Sequence, residues 1–271
     1  SLALGLGTAA GSLGQVIFSP LALHWIHVHG WNDALFIHAL VVLLVLPLAF
    51  ALPADTIAKG EIHIDQSLTD ALKEARDHYG FILLTIGFFV CGFQLGFITI
   101  HLPPYVSDIG LNPRVAAIAL ALIGGFNILG SLGSGVIGQY WSKKKSLSFI
   151  YLLRGLLIVG LMVSPKTEVV IFIFSASMGL LWLSTVPLTS GIIAQVFGLR
   201  YMATLFGIVF FSHQLGSFLG IWLGGLLYDA TGSYNVVWWL GAILGLAAAI
   251  VHWPIDEKPL PRLKLKKIIP A

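Results

Sequence analysis

Charge is what this sequence has least of. Asp, Glu, Lys and Arg make up 10% of its 271 residues, against roughly 25% in an average soluble domain. So few charges cannot form the polar skin of a soluble core this large, which excludes a soluble enzyme or nucleic-acid-binding domain. With 57% apolar residues and a mean hydropathy of +0.92, the chain reads as an integral membrane protein. Cysteine is almost absent: Cys91 stands alone, which excludes an internal disulfide and a cysteine metal cluster. No Walker A, GxSxG or HExxH pattern occurs, so neither an enzyme nor a cofactor is expected. No charged leader precedes the first apolar run. The chain opens Ser1-Leu2-Ala3-Leu4 and reads as a stretch from inside a longer protein. Glycine, by contrast, is abundant at 30 residues and suits close helix packing in a bilayer.

The scarce charges act as rulers. A hydrocarbon core of about 30 Å needs about 20 helical residues. Eight apolar segments of that size lie between charged residues: 3–24, 33–53, 81–107, 114–140, 146–163, 168–194, 201–228 and 234–254. Turn residues agree, with Gly30-Trp31-Asn32-Asp33 and Ser164-Pro165 between spans and Asn112-Pro113 at a helix start. The 54–80 connection is the only long one. It carries nine charged residues, and Ser67 or Thr69 is placed to cap a short surface helix running to His78. Lys59, Lys73, Arg76, Lys143, Lys144, Lys145, Arg200, Lys258, Arg262, Lys264, Lys266 and Lys267 fall on one side, against Arg114 and Lys166 on the other. The positive-inside rule makes the first side cytoplasmic. The lysine runs then set topology and meet lipid headgroups.

Two spans, a long loop and six more spans form the tail of a twelve-helix plan. Gly7, Gly11, Gly14 and Pro20 on the first span resemble the Gly/Pro motif on the fifth helix of major facilitator superfamily transporters. Gly135 to Lys144 (GVIGQYWSKK) resembles the superfamily motif between helices eight and nine, with Gln139 and Tyr140 in place of its Asp and Arg. Phe88 to Leu111, and the stretch from Phe206-Gly207 to Tyr234, are similar to helices seven and eleven of the bacterial monocarboxylate-transporter-like branch. The resemblance implies an all-α bundle whose eight spans correspond to helices five to twelve, with one to four missing. Residues 1–54 would be the last two helices of the N-terminal half and 55–80 the cytoplasmic central loop. Residues 81–255 would be the six-helix C-terminal half and 256–271 a cytoplasmic basic tail. It also implies a site at the bilayer midplane between the halves.

Polar groups at that depth are costly and so are the site candidates. Gln94 and His101 share one face of the third span, seven residues apart. Gln94 reads as a site residue or as a bond to a neighbouring helix, and His101 as a gate, a proton site or an interfacial histidine. Asn127 heads a face with Gly130, Ser131 and Ser134, where small residues favour packing and Asn127 is either glue or ligand. Ser175, Met178, Trp182, Thr185 and Thr189 form a stripe on the sixth span. Pro187 is expected to free backbone carbonyls there, and a central Trp182 favours a cavity wall. His213 shares its face with Gly216, Ser217, Gly220 and Gly224. Gln214 lies about 100° round the helix and is not expected to reach the same point. Arg154 is the one full charge inside a span. It reads as a counter-charge to an anion, a snorkelling side chain or a structural bond to carbonyls. Helix nine is peripheral in the superfamily plan, which favours a structural role. His24, His27 and His29 suit a membrane interface better than a metal site.

The resemblance implies a secondary active transporter for a small organic anion, monocarboxylate-like, coupled to protons or a counter-solute. Its C-terminal half would supply Gln94, Asn127, Trp182, Thr185, His213 and Gln214 to the cavity. The setting is a bacterial inner membrane with the C-terminus inside, and the missing helices would be partners. The alternatives are an exporter of apolar solutes, supported by Phe93, Phe97, Phe126, Trp182 and Trp222, and a non-transporting membrane sensor.

Overall fold

The computed structural model describes residues 2–50 and 66–264. Only helices occur among them: α1 (Leu2–Leu43), α2 (Val45–Phe50), α3 (Leu68–Asp77), α4 (Tyr79–Asp108), α5 (Pro113–Tyr140), α6 (Lys143–Val163), α7 (Glu168–Leu181), α8 (Thr185–Phe197), α9 (Met202–Thr231), α10 (Asn235–His252) and α11 (Pro261–Lys264). Two compact units result: Ser1–Ser12 with Ser67–Ala271, and Leu13–Gln66. Lys59, Lys266, Lys267 and the Lys264 side chain, all counted on the basic side, lie outside what the structure describes, as does the 55–65 part of the expected central loop.

Among the described residues, seven stretches rather than eight are long and apolar enough to cross a membrane. The difference lies in α1. The expected turn at Gly30–Asp33 contracts to Gly30 alone, at φ 82 and ψ 166. That left-handed φ is open to glycine and closed to most residues. The rings of Trp25 and His38 nevertheless meet at 4.9 Å, although thirteen residues of straight helix span about 20 Å. The chain therefore folds back at Gly30, and where spans 3–24 and 33–53 were expected the one stretch that qualifies is His24–Leu48. His24, His27 and His29 lie exposed on the first arm, in helix rather than in a loop.

In the larger unit, α4 pairs with α9, α6 with α10 and α5 with α7. In lipid, helices associate through close packing and not through hydrophobic exclusion, so small residues mark the interfaces. A methyl on Gly216 or Gly220 would overlap the Phe89 or Phe93 carbonyl of α4, and one on Gly92 would overlap the His213 carbonyl of α9. Gly130 meets the Leu180 carbonyl in the same way between α5 and α7. Gly5, at the start of α1, lies against Gly135 of α5, where an added Cβ would stand 3.1 Å from the Gly135 Cα. α4 is buried on most faces, from Phe81 to Val106.

Local caps match the residue types. The Asn112 side chain accepts from Arg114 N–H at 2.9 Å, with Pro113 at the first helical position. Gly232 closes α9 with φ 66. Ser67 caps α3, accepting from Asp70 N–H at 3.1 Å and donating to its carboxylate at 2.6 Å. The Ser67 hydroxyl first, and the Ser67 backbone second, hold the Asp70 carboxyl below its ordinary value. Between α6 and α7, Lys166 Nζ donates to the Leu161 and Met162 carbonyls at 2.7 and 2.9 Å, closing α6.

Candidate functional site

The expected sixth span is not one helix. α7 ends at Leu181 and α8 begins at Thr185, with Trp182, Leu183 and Ser184 between them. Pro187 has no N–H and so cannot bond the Leu183 carbonyl four residues back. That carbonyl accepts the Val186 N–H instead, at 3.0 Å. The tightened turn leaves carbonyls at the end of α7 and an N–H at Leu183 in need of partners.

Side chains from other helices supply them. Arg154 of α6 is fully buried. Its Nη2 donates to the Leu181 carbonyl at 2.5 Å and to the Trp182 carbonyl. Its Nη1 donates to Cys91 Sγ at 3.3 Å, and the guanidinium lies over the Tyr151 ring, 5.4 Å from its centroid. On the other side of the break, Asn127 Oδ1 accepts the Leu183 N–H at 2.9 Å and the Ser131 hydroxyl at 3.2 Å, while its Nδ2 donates to Ser12 Oγ at 2.7 Å. A cation thus holds the carbonyls of the break and a carboxamide holds its N–H.

Thr185 opens α8 fully buried, its hydroxyl 3.3 Å from Cys91 Sγ. Ser175, Met178, Trp182 and Thr189 of the same stripe are also buried. Arg154, Asn127, Trp182 and Thr185 therefore gather at one point, with Cys91 of α4 joining Arg154 to Thr185.

The other candidates stand apart from that point or turn elsewhere. Gln94 donates to the Gly241 carbonyl of α10 at 2.9 Å, and its Oε1 has no partner among the described residues. His101 Nε2 lies 2.9 Å from the Ile221 carbonyl of α9. Its ring packs between Phe97 and Tyr234 at 5.6 and 5.3 Å. The two share a face of α4 but engage different neighbours, because α4 is surrounded. His213 Nδ1 lies 3.0 Å from Gln214 Oε1. The expectation that these two cannot meet is therefore corrected: their backbone directions diverge, but the long Gln214 side chain, on an exposed residue, wraps back. Of the aromatic residues, Phe93 and Phe97 are core and Trp222 is 53% exposed.

A sequence model of the Major Facilitator Superfamily matches residues 1–221. The chain belongs to the major facilitator superfamily. An uncharacterized MFS-type transporter of Bacillus subtilis (strain 168), YcxA, is 28% identical over 273 residues, covering 95% of this chain and 65% of its own length. Monocarboxylate transporter 12-B of Danio rerio is 24% identical over 295 residues, covering 94% of this chain and 60% of its own. Monocarboxylate transporter 12 of Xenopus laevis is 24% identical over 285 residues, with coverages of 92% and 62%. The chain spans less than two thirds of the length of these relatives. The vertebrate proteins bear the name of the branch that 88–111 and 206–234 resemble.

Membership of the superfamily makes this an integral membrane protein and not an enzyme. It also frames what sequence reasoning missed. Cys91 entered only to exclude a disulfide and a cysteine metal cluster, yet it lies one helical turn before Gln94 and joins α4 to the break. Tyr151, one turn before Arg154, and Ser12, in the glycine-rich first span, carried the same faint signal of helical spacing from a marked residue. In the superfamily-like stretch Gly135–Lys144, Gln139 and Tyr140 are exposed. The Lys143 ammonium reaches Gln195 at 2.7 Å.

Proposed function

We propose that this chain forms part of a secondary active transporter that moves a small organic anion, monocarboxylate-like, by alternating access, driven by protons or a counter-solute. The broken α7–α8 helix carries the reading. Discontinuous helices are tolerated in a bilayer where they are buried in protein or line a cavity, and they are where transporters of this kind build sites. The sign of the charge supports an anion. Arg154 is held by two carbonyls, a thiol and an aromatic ring, and no carboxylate pairs with it among the described residues. The names of the vertebrate relatives support the same class.

In this reading Arg154 and Asn127 hold the break open, and Trp182, Thr185, Gln94, His213 and Gln214 face the solute during the cycle. His101 serves as the gate or proton site at the far end. Within the spans from Tyr79 to His252, the acidic residues Asp108, Glu168 and Asp229 all stand at or near helix ends. The histidines and the anion itself are then the proton carriers in this part of the molecule. The lysine-rich end is cytoplasmic, and the membrane is a bacterial inner membrane.

The test is uptake of radiolabelled L-lactate into proteoliposomes holding the full-length gene product, under an imposed pH gradient. Accumulation that collapses with a protonophore is expected. No uptake at any gradient, with efflux of lipophilic cations instead, would overturn the anion reading in favour of an exporter of apolar solutes.

A further inference from the structure

The stretch beyond α10 makes more directed contacts than a solvated basic tail requires. The Glu257 carboxylate accepts the Ser142 hydroxyl at 2.8 Å and the Lys144 N–H at 2.7 Å, capping the start of α6 from a distance in sequence. The Glu257 carbonyl accepts from Gln195 Nε2 of α8 at 2.8 Å. The Leu260 N–H donates to the Val196 carbonyl at 3.1 Å.

Arg262 then joins two elements at once. Its Nε lies 3.1 Å from both Glu74 oxygens and its Nη2 lies 2.8 Å from Oε2, while Nη2 also donates to the Phe197 carbonyl at 2.7 Å. Glu74 belongs to α3 and Phe197 ends α8. Leu263 closes over Gly198, where an added Cβ would stand 3.2 Å from its Cδ2. Gly198 itself turns the chain at φ 85, which favours glycine.

The Arg262–Glu74 pair differs from the other ion pairs described. Its side chains are 22% and 27% exposed, whereas Arg76–Asp77 and Lys258–Asp256 are all above 60%. A forked, partly buried guanidinium–carboxylate pair is stronger and more directional than a solvated one. The unwound carbonyl at the end of α8 adds a third fixed point.

We propose that residues 255–263 are a strap that fastens α3 to the end of α8. α8 is the half of the broken helix that carries Thr185. With the strap closed, that end of α8 cannot shift without either releasing Arg262 or drawing α3 with it. The strap stands on its own contacts. Its bearing on transport rests on the function proposed above.

The experiment compares Glu74→Arg, Arg262→Glu and the double swap in the full-length protein in detergent, by hydrogen–deuterium exchange. Each single reversal is expected to speed exchange at least tenfold both in α3 and at the Val196, Phe197 and Gly198 amides. The swap should return both to within threefold of the parent. Unchanged exchange in the single variants, or a swap no better than the worse of them, would overturn the strap. So would loosening of α3 with α8 undisturbed, because the two would then not be fastened together. L-lactate uptake is read in parallel. A parent with no uptake defeats the proposed substrate, and exchange still decides the strap.

Discussion

Arg154 Nη2 lies 2.5 Å from the Leu181 carbonyl oxygen, so a cation on one transmembrane helix closes the end of another. Placing an Arg mid-helix in a bilayer costs about 2.5–3.5 kcal/mol on insertion scales. A hydrogen bond from a charged donor contributes about 1.5–3 kcal/mol. The two bonds to Leu181 and Trp182 are enough to offset that cost. The break needs the cation for its carbonyls, and the cation needs the break for its solvation.

Arg154→Met is therefore expected to destabilise the protein by about 2–4 kcal/mol, since two buried carbonyls lose their donors. Arg154→Lys, which keeps the charge but loses the fork, should fall between Met and the parent. Thermal unfolding in detergent measures both. A Met variant as stable as the parent would mean that the carbonyls find other donors.

Gln94 separates site from glue. Gln94→Leu keeps nearly the same volume and should change stability by less than about 1 kcal/mol, in line with single polar contacts between membrane helices. Lactate uptake should fall at least tenfold in this variant and in Gln94→Ala. Full uptake with a lowered unfolding temperature would make Gln94 a bond to Gly241 and nothing more.

Close packing of α4 on α9 gives a paired test. Gly216→Ala places a methyl against the Phe89 carbonyl and 3.0 Å from the Phe93 nitrogen. Both are backbone atoms that cannot turn aside, and a loss of about 1–3 kcal/mol is expected. Gly225→Ala, nine residues on with nothing within 4 Å of its Cβ position, should be neutral. Unfolding temperatures of the two variants, read side by side, decide the matter.

The cap of α3 titrates. The Ser67 bonds lower the Asp70 carboxyl, so their contribution is complete above the unfolded value near pH 4. It is lost as pH falls further, through the depressed folded value. Amide exchange in α3, corrected for intrinsic rates, should rise below about pH 4 in the parent. Ser67→Ala should loosen α3 by about 1 kcal/mol at neutral pH and flatten that acid response. An acid response unchanged in Ser67→Ala would place its origin elsewhere.

Much of the architecture was legible because charge is expelled from the spans. The helices at Tyr79, Pro113, Lys143 and Glu168 begin within three residues of where the charged rulers put them. The cap of α3 was narrowed to Ser67 or Thr69, and the structure takes Ser67. The broken span was half legible: Pro187 announced freed carbonyls, but the break falls at 182–184, one turn earlier, because the proline acts on the carbonyl four residues before it. What binds the break was not legible. Carbonyl acceptors leave no side-chain signature, so nothing in the sequence pairs Arg154 with Leu181. Helical angles placed Gln214 away from His213, yet the Gln214 side chain reaches back to it. The fold-back at Gly30 needed a single residue where Gly30-Trp31-Asn32-Asp33 suggested a four-residue turn.

The sole cysteine has a practical consequence. Cys91 is fully buried between α4, α6 and α8, so this stretch of the protein offers no thiol to water-soluble maleimides. A cysteine placed on α3 or at Tyr140 would be the one labelled position within this stretch. Spin or fluorescent probes could then report on these helices without first replacing a residue that bridges Arg154 to Thr185.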